Sequence, residues 1–209
     1  ALDTLAPGRV TRLWGADRYA TSAQITLYNY DAGVGRVYLA NGENFPDALS
    51  GAPAAGATGS PLLLTTATSL PAPIATELNR LKPKEIVILG GTGVISGPLQ
   101  TTLASYTTGP VTRLAGPDRY ATSAAISAAT YQPGVPAVFL ASGENFQDAL
   151  TGAPIAAATG SPLLLTPPTS IPTPIGTELT RLAAHRLNVL GGTGVITSAV
   201  ETAARSYLP

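Results

Sequence analysis

Two arginines occupy positions where a helix start has no need of one. Arg18 and Arg119 each lie in a Gly-x-Asp-Arg-Tyr-x-Thr-Ser segment, directly after Asp17 and Asp118. Both aspartates read as N-caps. A guanidinium, by contrast, is mildly unfavourable near the positive end of a helix dipole. Its planar fork of donors matches a carboxylate or a phosphate. Two readings stand side by side: an internal ion pair with a duplicated acid, Asp47 or Asp148, or a grip on an anionic ligand. The segments Gly42-Glu43-Asn44-Phe45 and Gly143-Glu144-Asn145-Phe146 follow apolar strand-like runs. They fall at the strand ends where ligands of open α/β sheets bind. Glu43 and Asp47, four residues apart, have the residue types of a glycosidase pair. A simpler account makes Asp47 a first-turn acid favoured by the helix dipole, Asn44 a cap and Phe45 a packing residue. It leaves a polar rim suited to sugar.

The turn Gly90-Gly91-Thr92-Gly93-Val94-Ile95-Ser96 follows a strand and precedes a helix. It departs from a dinucleotide fingerprint. The third glycine is missing, and no acid stands about twenty residues on. A tight turn with a Ser or Thr cap explains it, while its backbone N–H groups remain able to meet an anion. His185 is the single histidine, and its counterpart is Lys84. With no second histidine and no cysteine, a catalytic triad or a conventional zinc site has no foundation. Lys82, Lys84 and His185 read as solvated decoration.

Apart from His185, Lys82 and Lys84, these features occur twice, at a constant offset and without gaps. Counted from Val10 to Tyr106, about 59 of 97 positions match their partners. The repeat is therefore a domain-sized unit rather than a short solenoid element. Units at 1–108 and 109–209 are expected, with the boundary in the turn-rich stretch around Thr107-Thr108-Gly109-Pro110. Apolar residues make up 44% of the 209 and charged residues 11%, with 12 cations against 12 anions. Such a chain has enough apolar residue for a core and no bulk charge to attract nucleic acid or an acidic membrane. The start, Ala1-Leu2-Asp3-Thr4, has no signal-peptide pattern and reads as a mature N-terminus or a cut end.

Within one unit, apolar runs alternate with helical patterns. Strands are expected at Val10–Leu13, Val37–Ala40, Leu62–Leu64 and Ile86–Leu89. Helices are expected after Asp17, after Asn44 (kinked or shortened at Pro53), around Ile74–Leu81 and after Ser96. This alternation implies a four-stranded, mostly parallel sheet with helices on both faces, a Rossmann-like or Toprim-like α/β unit. The gapless duplication predicts two independent domains, each with its own continuous core.

Taken together, G-x-D-R-Y-x-T-S, G-E-N-F-x-D-A-L, S-P-L-L-L-T and L-G-G-T-G-V-I resemble the type 2 cell-wall-binding repeat family, over nearly all of both copies. The resemblance implies a secreted, non-catalytic module without cofactor or metal. It implies non-covalent anchoring to an anionic cell-wall glycopolymer, teichoic-acid-like or another secondary polymer, at the bacterial surface. It also implies a threefold arrangement of repeats, of which this chain supplies two. Further repeats or a second copy are expected to complete it. The small-residue helices Ala48–Thr58 and Ala149–Thr159 are the candidate contact faces; the alternative is that they cover their own sheets. Under this reading Arg18 and Arg119 meet anionic substituents. Asn44, Asn145, Thr92 and Thr193 meet hydroxyls, and Asp47 and Asp148 complete the ligand-binding set. Protein–protein assembly of a surface layer is one alternative; a glycan-cleaving or nucleotide-dependent enzyme is another.

Overall fold

The computed structural model describes residues 8–209, so the reading of the first residues as a mature N-terminus lies outside it. The elements run in the order α1 (Arg18–Asn29), β1 (Val37–Asn41), α2 (Pro46–Ala57), β2 (Leu62–Thr65), α3 (Ala72–Leu81), β3 (Ile86–Leu89), α4 (Gly97–Leu103), β4 (Val111–Leu114). They continue as α5 (Arg119–Thr130), β5 (Val138–Ser142), α6 (Gln147–Ala158), β6 (Leu163–Thr166), α7 (Thr173–Leu182), β7 (Leu187–Val189) and α8 (Ser198–Arg205). All strand pairs are parallel, in sheets ordered β2-β1-β3-β4 and β6-β5-β7. The α/β expectation is met.

Local chemistry accounts for most element starts. Asp17 and Asp118 cap α1 and α5, accepting from the N–H of Ala20 and Ala121 at 2.7 and 2.8 Å. The turn before each helix needs glycine, because a Cβ on Gly15 or Gly116 would collide with the helix at Ala20 or Ala121. Ser96 caps α4. Residues Ile74, Leu78 and Leu81 of α3 share one face and are fully buried. Two local readings are corrected. Phe45, not Asn44, occupies the cap position of α2, and it makes no side-chain cap bond. The cause is Pro46, whose fixed φ suits the first helical position. Phe45 does not pack inward but stays half exposed, its ring centroid 4.8 Å from that of Phe146. Pro53 lies inside α2, which continues to Ala57.

The larger correction concerns independence. Val111–Leu114 opens the second repeat by sequence, yet it forms the fourth strand of the first sheet, paired with β3. The N–H of Ile86 donates to Pro110 O and that of Gly90 to Leu114 O. The second sheet therefore has three strands rather than four among the described residues. The equivalent segment Val10–Leu13 is not a strand.

The cores are shared as well. Alternate residues of the first sheet point to opposite faces, as the strand period requires. Val37, Leu39, Ile86 and Ile88 pack with Ile74, Leu78 and Leu103 of their own repeat. Tyr38, Ala40, Val87 and Leu89 join one apolar cluster with Ala54, Ile126, Leu140 and Leu164. Leu49 enters a third cluster with Phe139, Ala141 and Ala153. Helix α2 is thus a joint whose small residues allow close approach: Gly56 lies so near α6 that an added Cβ would be 2.6 Å from that of Ala157. One of the two expected contact helices is accordingly covered by the other repeat.

Candidate functional site at the junction of the repeats

Strand sharing brings the start of α5, from the second repeat, over the C-terminal ends of β1 and β3, from the first. Between them lies a cleft of about 330 Å³, walled by Asn44, Asp47, Gly91, Gly93, Asp118, Arg119 and Thr122 among others. It stands where the strand-end rule for open α/β sheets puts a ligand. Its walls come from both repeats.

Asp47 is the unusual group here. It is 6% exposed, and its carboxyl has neither a hydrogen-bond donor nor an ion-pair partner among the described residues. Burial pushes its pKa up to about 6, and the positive charge of Arg119 pulls part of the way back. Removing an ionised carboxylate from water without a donor favours the protonated form, which is the direction seen. Gly90, with φ +96°, lies against this carboxyl, and a Cβ there would strike Asp47 Oδ2.

Neither expected arginine–aspartate pair forms. Arg18 Nη1 instead donates to Gly42 O at 2.5 Å, and Arg119 Nη1 donates to Gly143 O. Each arginine thereby clamps the loop that follows the next strand of its own repeat. Sequence reasoning missed this role, since a main-chain acceptor leaves no mark on residue type. Arg119 has further N–H groups, none with a partner among the described residues, and its helix start lines the cleft.

The remaining candidates are scattered. Asn44 lines the cleft. Thr92 is exposed on the glycine turn between two cleft residues, Gly91 and Gly93. Thr193 lines a groove along β7. Asn145 lines a crevice beneath Phe45 and Phe146. Asp148 is partly exposed where Asp47 is buried, because no helix start covers it. Arg18 lies at the exposed start of α1, outside the cleft.

Two structural residues also escaped the sequence reading. Asn41 donates to Val94 O and accepts from the N–H of Glu43, tying β1 to the glycine turn. Its counterpart is Ser142, so duplication gave no hint. Arg113 of β4 donates to Gly90 O at 2.6 Å and, through Nε and Nη2, to Gln100 Oε1. It fixes the same turn from the other side. Among the described residues, no group of three or more His, Cys, Asp or Glu residues is placed to hold a metal ion.

Comparison with known proteins gives a consistent picture. The sequence pattern of the family described as Cell wall binding domain 2 (CWB2) matches residues 12–100 and 113–201. The chain is 31% identical over 94% of its length to N-acetylmuramoyl-L-alanine amidase LytC of Bacillus subtilis, and that match covers 39% of the amidase. It is 35% identical over 77% of its length to the amidase enhancer of the same organism, covering 22% of that protein. The chain thus spans less than two fifths of either curated relative. Among solved structures, Cwp6 from Clostridium difficile superposes with a TM-score of 0.87 at 26% identity, over 94% of this chain and 31% of Cwp6. Cwp8 from the same organism superposes at 0.83 and 23% identity, over 99% of this chain and 36% of Cwp8, a likeness of fold.

Proposed function

We propose, from the premise that this chain belongs to the Cell wall binding domain 2 family and is a cell-wall-binding module, that its junction cleft is where the wall polymer binds. The observation carrying this reading is the meeting of three polar groups in one cleft: Asn44, the donor-less carboxyl of Asp47, and Arg119 with its unused N–H groups. Arg119 is suited to a phosphate or carboxylate substituent of a glycopolymer, bound through a fork of donors. Asn44 and Asp47 are suited to sugar hydroxyls, the first offering an amide, the second accepting as a carboxylate and offering an O–H once the pH falls below about 6. Thr92, exposed on the neighbouring turn, extends the rim.

The polymer in this reading is anionic and the protein is exported. Binding is non-covalent, and the chain carries no chemistry of its own. The cleft offers one carboxyl of raised pKa with no second acid lining it beyond the capping Asp118, while Glu43 is exposed outside it. A hydrolytic pair needs two carboxyl groups facing one bond. The matched region covers only 39% of the amidase relative, and we assign amide cleavage to the remainder of that protein.

Cosedimentation with isolated bacterial cell walls tests the reading, before and after chemical removal of anionic glycopolymer. Retention on native walls and loss on stripped walls is expected, with binding weakened by salt because Arg119 is exposed. Equal retention on both preparations would show that peptidoglycan, not the anionic polymer, is read.

A further inference from the structure

Phe45 and Phe146 are counterpart residues of the two repeats, and the fold brings them together at the surface. Their ring centroids are 4.8 Å apart with the planes tilted by 59°, and the residues are 48% and 40% exposed. They meet because α2 packs against α6 and each phenylalanine immediately precedes its helix. An adjacent pair of exposed rings, unlike a scattered apolar residue, points to a contact surface. The crevice beneath them, lined by Pro46, Leu49 and Leu165 among others, has no room even for a water molecule. A ligand therefore lies across the rings and does not insert between them. A protein partner is anchored by side chains seated in pockets and buries about 800 Å² on each side. Two half-exposed rings over a closed crevice supply neither.

We propose that this pair is a stacking shelf for an uncharged sugar ring of the wall polymer, beside the cleft that takes the polymer's anionic group. The proposal rests on the binding role given to the cleft above. A pyranose has C–H faces and a rim of hydroxyls. The negative face of a phenylalanine ring attracts the C–H bonds. The exposed amides of Asn44 and Asn145, immediately before the two rings, offer donors and acceptors to the hydroxyls. Charge decides which part of the polymer goes where. On each loop an exposed acid, Glu43 or Glu144, stands two residues before the ring and disfavours an anionic group on the shelf. The cation stands at the cleft: Arg119 lines it and donates to the carbonyl of Gly143, which in turn lines the crevice. Pro46 lines both. Shelf and cleft are thus contiguous, and one polymer strand reaches both, its anionic group at Arg119 and a neighbouring neutral sugar on the rings.

Calorimetric titration of solubilised anionic wall glycopolymer into the whole chain and its variants tests the shelf. Leucine at both positions, Phe45→Leu with Phe146→Leu, keeps apolar area and removes the aromatic faces. It should weaken binding roughly tenfold, about 1.4 kcal/mol. The factor should be the same at low and high salt, because stacking is not screened as the Arg119 contact is. Tyrosine at both positions restores the rings and should bind at least fivefold more tightly than the leucine pair. Proton NMR of a short soluble fragment of the polymer gives a second measurement that needs no variant. Ring currents should shift the C–H protons of one sugar upfield on binding to the unmodified chain. Leucine variants that bind like the unmodified chain, or a bound fragment with no upfield shift, overturn the shelf and leave the cleft reading standing. An upfield shift together with undiminished binding by Arg119→Ala supports the shelf and overturns the cleft. A chain that binds no polymer overturns both.

Discussion

Replacing Asp47 by Asn should stabilise the protein at neutral pH and leave it unchanged in acid. The carboxyl is raised from 3.8 to about 6 by burial in the cleft. The folded state therefore holds this proton more tightly than the unfolded chain. The stabilisation is fully present below about pH 4 and is lost as the pH rises through about 6. A gap of about two units, at about 1.4 kcal/mol each, makes the ionised carboxylate cost on the order of 3 kcal/mol at neutral pH. Asn has the same shape, carries no charge and mimics the protonated acid. The two proteins should match near pH 4 and diverge by roughly 3 kcal/mol at pH 7, with the variant more stable. Because the core is continuous across the repeats, one cooperative transition is expected, and urea unfolding at a series of pH values reads the difference directly. Other carboxylates titrate in both proteins and cancel. A pH-independent difference, or a variant less stable at neutral pH, would refute the claim that Asp47 is held without a donor.

An ionised Asp47 opposes an anionic ligand, so wall binding should tighten as the pH falls through about 6, and Asp47→Asn should flatten that dependence in a cosedimentation titration. Arg113→Ala removes three charged hydrogen bonds at the β4–β3 seam and should cost about 2–4 kcal/mol in chemical denaturation, whereas Arg12→Ala, at the exposed equivalent position, should be neutral within about 0.5 kcal/mol. Gly56→Leu forces a side chain against Ala157 where even a Cβ is too close; a loss of about 1–3 kcal/mol is expected from overpacking, checked by the thermal midpoint.

Much of the fold could be read from the sequence because it rests on local chemistry. Asp17 and Asp118 cap as their spacing implies, and Ile74, Leu78 and Leu81 bury one helical face. The allegiance of Val111–Leu114 could not be read. A periodic sequence is equally consistent with a cut at any point of its period, and only hydrogen bonding in space decides which sheet takes a strand. The same ambiguity hid the cleft. Its halves, Asn44 with Asp47 and Asp118 with Arg119, belong to different repeats and look incomplete when each repeat is taken alone. The Arg18–Asp47 pairing failed for a related reason: matching acids to bases within one repeat ignores carbonyl acceptors such as Gly42 O.

A wall polymer held in the cleft shared by the two repeats would have Arg119 as its cationic contact. Calorimetric titration of purified, solubilised wall glycopolymer into the unmodified chain, Arg119→Ala and Lys84→Ala tests it most directly. Lys84 is exposed, away from the cleft, and serves as a charge-matched control. Arg119→Ala should lose at least tenfold in affinity, about 1.4 kcal/mol or more, while Lys84→Ala should stay within twofold of the unmodified chain. Equal affinities for all three proteins, or equal losses in both variants, would contradict it.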